Sequence, residues 1–201
     1  MVKKLIISPH IDDDVLGCGG IIDNETFVAY GGVEDFHIID RESRIKEADA
    51  VKEFLGHDYK ILNNEVNFYR VKSLIDQYQH LINDLKPHEV YVPHPSYNQD
   101  HRAVYDAVII ALRPHDNNFF VKKVLLYEQP HMFLWNQTNR TFKPNYFVKI
   151  DIEKKITAYK LMKSQVRDFR SPEILMSMAQ LRGSQSNMKY AESYEIIRCV
   201  E

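Results

Sequence analysis

Two short segments gather residue types that can do chemistry. His10, Asp12, Asp13 and Asp14 fall within five positions, directly after the apolar run Val2 to Ile7. Crowded carboxylates are unfavourable unless water, hydrogen-bond donors or a cation compensates. A divalent metal is one such compensation. His10 and Asp13 stand three apart, so a strand-to-helix turn could aim both at one ion, with Asp12 beside it and not needed as a ligand. A second segment places Asp100 and His101 at the start of a helical pattern. His101 could complete a His2Asp set and leave one position for water, the pattern of a catalytic zinc; a structural zinc is usually closed by four ligands, commonly cysteines, and no cysteine cluster exists here. Zinc would lower the pKa of its water and polarise a carbonyl. Asp12 would be the general base. Asp100 would accept a hydrogen bond from the distal nitrogen of a ligand histidine. The competing reading is two ordinary helix starts, because acidic residues complement the helix dipole without any metal. Spacing alone leaves both readings open.

These segments need elements to hold them. Val2 to Ile7 reads as a buried first strand, and Asp12 to Asp14 open a helix. Phe27 to Tyr30 and Phe36 to Ile39 read as strands. Arg41 to Phe54 is a helix whose apolar residues recur at steps of three and four, with Gly56 as its stop. Leu74 to Leu85 is a second long helix, Glu89 to Val92 a strand, and Ala103 to Leu112 a helix. Strands follow at Lys123 to Tyr127 and Tyr146 to Ile150, helices at Ile152 to Gln165 and Pro172 to Arg182, and a last strand at Tyr194 to Val200. Alternating strands and helices argue for an α/β sandwich with a mostly parallel sheet. In such sheets ligands bind beyond the carboxyl ends of strands. Both His/Asp-rich loops, His10 to Asp14 and His94 to His101, follow strands.

Composition narrows the class. The 201 residues suit one domain, numbered 1–201, and 44% of them are hydrophobic. With 26 basic and 28 acidic residues the formal net charge is −2, so no basic excess points to nucleic acid. No apolar stretch approaches the roughly 18 residues of a membrane span. Cys18 and Cys199 do not form a disulfide framework, so a cytoplasmic location is the default expectation. Cys18 reads as a small packed residue.

The residues also carry a resemblance. Ser8-Pro9-His10-Ile11-Asp12-Asp13-Asp14, followed by Val15-Leu16-Gly17-Cys18-Gly19-Gly20, resembles the P-H-P-D-D-E-x-x-G-x-G-G signature of the PIG-L/LmbE-like N-deacetylase family. Asn98-Gln99-Asp100-His101-Arg102 is similar to that family's second signature, H/N-x-D-H. Lys160, Ser164-Gln165, Arg182-Gly183 and Tyr190-Ala191-Glu192 match later landmarks in order. The resemblance implies a Rossmann-like three-layer α/β/α sandwich and a zinc hydrolase that removes acetyl or other acyl groups from amino sugars. It implies His10, Asp13 and His101 as zinc ligands, Asp12 as general base, and Asp100 as the group that orients a histidine. Ile11 stands where the family has Pro, Asp14 where it has Glu, and Ser96 where an acidic residue is common. Asn98 stands where many members have a histidine that stabilises the oxyanion or protonates the leaving amine. Asn98 can donate a hydrogen bond but cannot be a general acid, so either Asp12 makes both proton transfers or another residue helps, His94 and His131 being candidates.

The expected function is therefore a zinc-dependent deacetylase acting on an amino sugar or glycoconjugate, with another divalent metal as an option. The alternatives are an amidase on a thiol conjugate or acylated natural product, and a non-catalytic metal- or sugar-binding module. Arg44, Glu128, His131 and Tyr190 are candidate substrate contacts. Arg44 and Glu47 resemble the family's R-x-x-E, and read equally well as an ion pair on the helix surface. A homo-oligomer, with a partner subunit completing an open site, is a further expectation.

Overall fold

The computed structural model describes residues 2–35, 39–114, 118–131 and 140–201. Seven strands form one sheet in the order β3-β2-β1-β4-β5-β7-β6. They are β1 (Lys4–Ser8), β2 (Thr26–Gly32), β3 (Asp58–Asn64), β4 (Glu89–Pro93), β5 (Lys123–Tyr127), β6 (Tyr146–Lys149) and β7 (Ala191–Cys199). The first five run parallel, and β7 is antiparallel to both β5 and β6. Six helices lie among the described residues: α1 (Asp13–Cys18), α2 (Arg41–Leu55), α3 (Val71–Leu85), α4 (Gln99–Ala111), α5 (Ile152–Leu161) and α6 (Pro172–Gln185).

Strand alternation divides β1 between two cores. Ile6 packs with residues of α1, α2, α5 and α6 on one face, whereas Leu5 and Ile7 pack with α3 and α4 on the other. Fully buried parallel strands read as continuous apolar runs, as Leu5–Ile7 and Val124–Leu126 do. The expected three-layer α/β/α sandwich is thus the observed architecture. Helix boundaries follow local chemistry. Asp40 caps α2, its carboxylate accepting from Ser43 N at 2.8 Å, and Gly56 ends that helix in the left-handed conformation at φ 80°.

Three expectations need correction. The strand expected at Phe36 to Ile39 falls largely on residues outside those described. The edge strand β3 was not expected: its DYKILNN is half polar, its inward residues Tyr59 and Ile61 are only half-buried, and the adjacent Ile61-Leu62 breaks the alternation. The helix expected to run from Ile152 to Gln165 stops at Leu161 and continues as a 3-10 turn, Lys163–Gln165. Tyr159 makes that break useful, because the single proton of its hydroxyl is shared between the carbonyls of Gln165 and Arg170, 2.9 and 2.8 Å away, and tethers the segment after the helix. No described helix is long and apolar enough to cross a membrane.

Strand order reverses between β1 and β4: the chain builds outward through β2 and β3 on one side, then returns to lay β4 and β5 on the other. A crevice opens at such a switch point beyond the carboxyl ends of the two strands. β1 runs into the His10 to Asp14 loop and β4 into the His94 to His101 loop, so two segments far apart in the chain face each other there.

Candidate active site

The turn between β1 and α1 is held at every carbonyl. Tyr69 donates to Pro9 O at 2.8 Å, Ser8 Oγ donates to His10 O at 2.7 Å, and the Arg44 guanidinium donates to Ile11 O. Ser8 Oγ also accepts from Asp14 N at 3.0 Å. Asp14 is fully buried and points inward, where Tyr30 OH donates to its Oδ2 at 3.0 Å. Burial pushes its carboxyl up to about 7. Asp14 therefore belongs to the turn's foundation, not to the cleft.

Above this foundation His10, Asp13 and His101 converge. Each offers one ligand atom, all within 4.8 Å of one another and all on buried residues, a grouping that could hold a metal ion. Asp13 Oδ2 lies 3.4 Å from His10 Nδ1 and 3.3 Å from His101 Nε2. The surroundings fit that use. Asp100 Oδ2 lies 3.0 Å from His10 Nε2 and also accepts from Asn67 N at 2.7 Å. A carboxylate only accepts, so this contact places a proton on Nε2, and Nδ1, which faces Asp13, is the nitrogen that would give up its proton to a metal. Gln129 Nε2 donates to Asp13 Oδ1 at 2.6 Å, which frees Oδ2 for the centre. His101 Nδ1 is buried without a hydrogen-bond partner among the described residues.

The electrostatics agree. Burial alone would lower the His10 pKa, but Asp100 and Asp13 outweigh it and push it up to about 10. Burial works to raise the Asp13 carboxyl, yet His101 and His10 hold it well below the usual carboxylate range. Without a metal the cluster holds protons where a metal would sit, and metal binding displaces such protons.

Asp12, Asp13, His10 and His101 line one polar cleft of about 150 Å³. Burial pushes the Asp12 carboxyl up, and Arg170 opposes the shift. Arg170 Nη1 donates to Asp12 Oδ2 at 2.9 Å, and its Nη2 donates to Gln165 Oε1 at 2.7 Å. Asn98, Ser96 and His131 also line the cleft. Asn98 caps α4, its Oδ1 accepting from Asp100 N at 2.8 Å, so only its amide nitrogen is left for a ligand. The His131 ring stands edge-on to His101 at 5.5 Å. A larger groove of about 570 Å³ lies between Arg102, Tyr105 and Arg140, but no set of metal-ligating atoms converges there among the described residues.

Other expected contacts lie elsewhere. Glu128 accepts from Arg182 Nε and Nη2 at 2.6 and 2.5 Å and from Ser193 Oγ at 2.5 Å, all in the interior beside α6. A buried fork-shaped pair of this kind engages both carboxylate oxygens inside the protein, and Glu128 is not among the cleft residues. Arg44 is neither a surface ion pair nor a cleft residue. It is completely buried, with Glu34, Glu47, Ser164 and Ile11 as acceptors. Tyr190 packs at the edge of the core before β7. His94 is buried with its ring against Phe142 and is not among the cleft residues. Cys18 is buried, as expected.

Gln129, Arg170, Tyr69 and Glu34 were absent from the sequence-based set. Gln129 and Arg170 stand 116 and 158 positions from their aspartate partners. A polar residue in a loop has no periodicity to expose it, and nothing local announces which aspartate it meets.

No protein-family model matches the sequence, and no curated protein sequence matches it closely. Among solved structures, the conserved protein TT1542 from Thermus thermophilus is 22% identical, with a TM-score of 0.80 over 100% of this chain and 97% of that one. The N,N'-diacetylchitobiose deacetylase from Pyrococcus horikoshii is 23% identical, with a TM-score of 0.75 over 98% of this chain and 84% of that one. GalB, the 4-carboxy-2-hydroxymuconate hydratase from Pseudomonas putida, is 21% identical, with a TM-score of 0.77 over 100% and 99%. At these identities the likeness establishes the fold: the chain has an architecture that a sugar deacetylase and a hydratase share.

Proposed function

We propose that this protein is a zinc-dependent N-deacetylase that removes an acetyl or other acyl group from the nitrogen of an amino sugar or glycoconjugate. One observation carries the reading. Three convergent ligand atoms and a buried carboxylate that is not needed as a ligand, Asp12, share a single polar cleft. The fold by itself hosts more than one reaction, so the site has to choose. The deacetylase from Pyrococcus horikoshii among the structural neighbours supports the choice, as does the motif pair around His10 and His101.

His10, Asp13 and His101 would hold the metal. When bound, the ion polarises a carbonyl and makes a water more acidic. Asp12 accepts the proton of the attacking water as its oxygen bonds to the acyl carbon. It then delivers that proton to the nitrogen as the carbon–nitrogen bond breaks, giving a carboxylic acid and an amine. Asp12 serves both transfers, because Asn98 has no acidic proton to give, His94 is not among the cleft residues, and burial lowers the His131 pKa to about 3, which keeps that ring neutral. Burial raises the Asp12 carboxyl, the direction that suits a base required to return its proton. Asp100 keeps the His10 proton on Nε2, and Gln129 orients Asp13. The Asn98 amide nitrogen remains available as a donor to the acyl oxygen.

The test is acetate release from free, nucleotide-linked and lipid-linked N-acetyl amino sugars with added zinc, for the protein and for Asp12→Asn. The variant is expected to keep its metal content and to lose about 10² to 10⁴ in rate, the usual worth of a positioned acid–base group. Equal turnover by both would remove Asp12 from the mechanism. Silence of the unaltered protein across the panel would overturn the deacetylase reading.

A further inference from the structure

The segment after α5 delivers a permanent cation to the cleft, and the reaction as derived has no use for it. Arg170 lies in a 3-10 turn, Asp168–Arg170, tethered through its carbonyl to Tyr159 OH. Its contact with Asp12 is single-ended: Nη1 meets one oxygen, Nη2 goes to Gln165, and the buried Nε has no partner among the described residues. A guanidinium carries five N–H donors in a planar fork shaped for carboxylate or phosphate. Two of its nitrogens are engaged here by separate residues, so the fork is not closed on either.

Position adds chemistry. In the proposed deacetylation Asp12 hands its proton to the amide nitrogen, so that nitrogen must come within hydrogen-bond reach of Asp12. Substituents a few bonds from the nitrogen then lie beside the group bonded to Asp12, which is Arg170. The other carboxylates of the cleft are already answered: Asp13 by the two histidines, and Glu34 by Arg44. We propose that Arg170 determines specificity by binding an anionic group, carboxylate or phosphate, carried close to the acylated nitrogen on the amine portion of the substrate. This rests on the deacetylase reading. It narrows the substrate class to acylated amino sugars with a phosphate at the neighbouring carbon 1 or a carboxylate-bearing ether at carbon 3, in preference to neutral sugars or those charged only at carbon 6.

The test reads binding, not turnover. Calorimetric titration of the zinc-loaded protein would compare the amine products glucosamine, glucosamine 1-phosphate, glucosamine 6-phosphate and muramic acid. The 1-phosphate or muramic acid is expected to bind at least about tenfold more tightly than glucosamine, in line with a charge-assisted hydrogen bond. The two arms separate phosphate from carboxylate, and the 6-phosphate is expected to gain less. In Arg170→Gln and Arg170→Met, the second of which keeps the aliphatic stem, this advantage should vanish with zinc content unchanged. Arg170→Lys should retain part of it. An advantage that survives in both neutral variants would assign the anion to the metal or another donor and overturn the proposal. So would equal binding of all four amines while N-acetyl sugars still release acetate, an outcome that leaves the deacetylase reading intact. No binding and no acetate release would sink both.

Discussion

At the residue scale the site is a set of divided duties. In the proposed centre His10 would supply Nδ1, because Asp100 occupies Nε2, and Asp13 would supply Oδ2, because Gln129 holds Oδ1. His101 has no comparable anchor on Nδ1 among the described residues, so among these its orientation depends on the centre itself. That asymmetry makes His101 the sharpest probe of the metal assignment. His101→Ala is expected to lose most bound zinc, whereas Asp100→Asn, which can still fill the same space, should weaken zinc by about 10- to 100-fold, as loss of such supporting contacts usually does. Metal analysis after dialysis decides this, and full occupancy in His101→Ala would mean that the ligand set is wrong. Chelation should abolish acetate release while leaving far-ultraviolet circular dichroism unchanged, because His10, Asp13 and Asp100 pair with one another when no metal is bound.

The elements act through two buried arginines. Arg44, on α2, ties three parts of the chain together: Glu34 after β2, Glu47 one turn along its own helix, and the Ile11 carbonyl of the turn between β1 and α1. Removing one member of a buried charged cluster leaves the others without a partner, which costs about 3–5 kcal/mol. Arg44→Met is therefore expected to lower the urea midpoint by an amount equivalent to about 3 kcal/mol or more. An exposed helical pair would cost under about 1 kcal/mol, and a loss that small would show that the network is not what holds the turn. Arg182, on α6, plays the equivalent part for Glu128, joining that helix to the end of β5. This is why two residues that resembled substrate contacts in the sequence are structural: their charges are spent between elements.

At the scale of the whole molecule, burial away from carboxylates keeps a histidine neutral in the interior. His57 is almost fully buried, neither ring nitrogen has a hydrogen-bond partner among the described residues, and burial lowers its pKa to about 4. The folded state therefore holds it neutral while the unfolded chain, with an ordinary value near about 6.5, takes up a proton. Between about pH 6.5 and 4 the unfolded state binds more protons, so stability falls on acidification through that window and is restored as pH rises. The slope contributed is at most about 1.4 kcal/mol per pH unit for one group. His57→Gln should show a shallower loss of stability across that window, measured by denaturant unfolding of the zinc-free protein. An unchanged slope would mean that His57 is not buried neutral. His57 lies outside the cleft, so the effect separates from metal binding.

Much of this was legible in the chain itself. The apolar runs of β1, β4 and β5 and the three- and four-step spacing of α2 and α3 revealed the α/β alternation, because burial imposes a period wherever an element has an inward face. His10, Asp12, Asp13, Asp100 and His101 were legible because a dense group of like charges after an apolar strand calls for a compensating partner. What the sequence could not show was anything decided by pairing across distance. The edge strand β3 has only a half-buried inward face, and so a weak pattern. Glu128 and Arg44 looked available because a charge on a strand end or helix reads the same whether it meets solvent or a buried partner. Gln129 and Arg170 meet their aspartates only after the sheet has brought the two halves of the chain together. By itself the sequence determined which residues are candidates for the chemistry and on what kind of element they stand. The tertiary structure alone decided which of them meet, because the reversal of strand order at β1 and β4 creates the crevice, and no local interaction encodes that reversal.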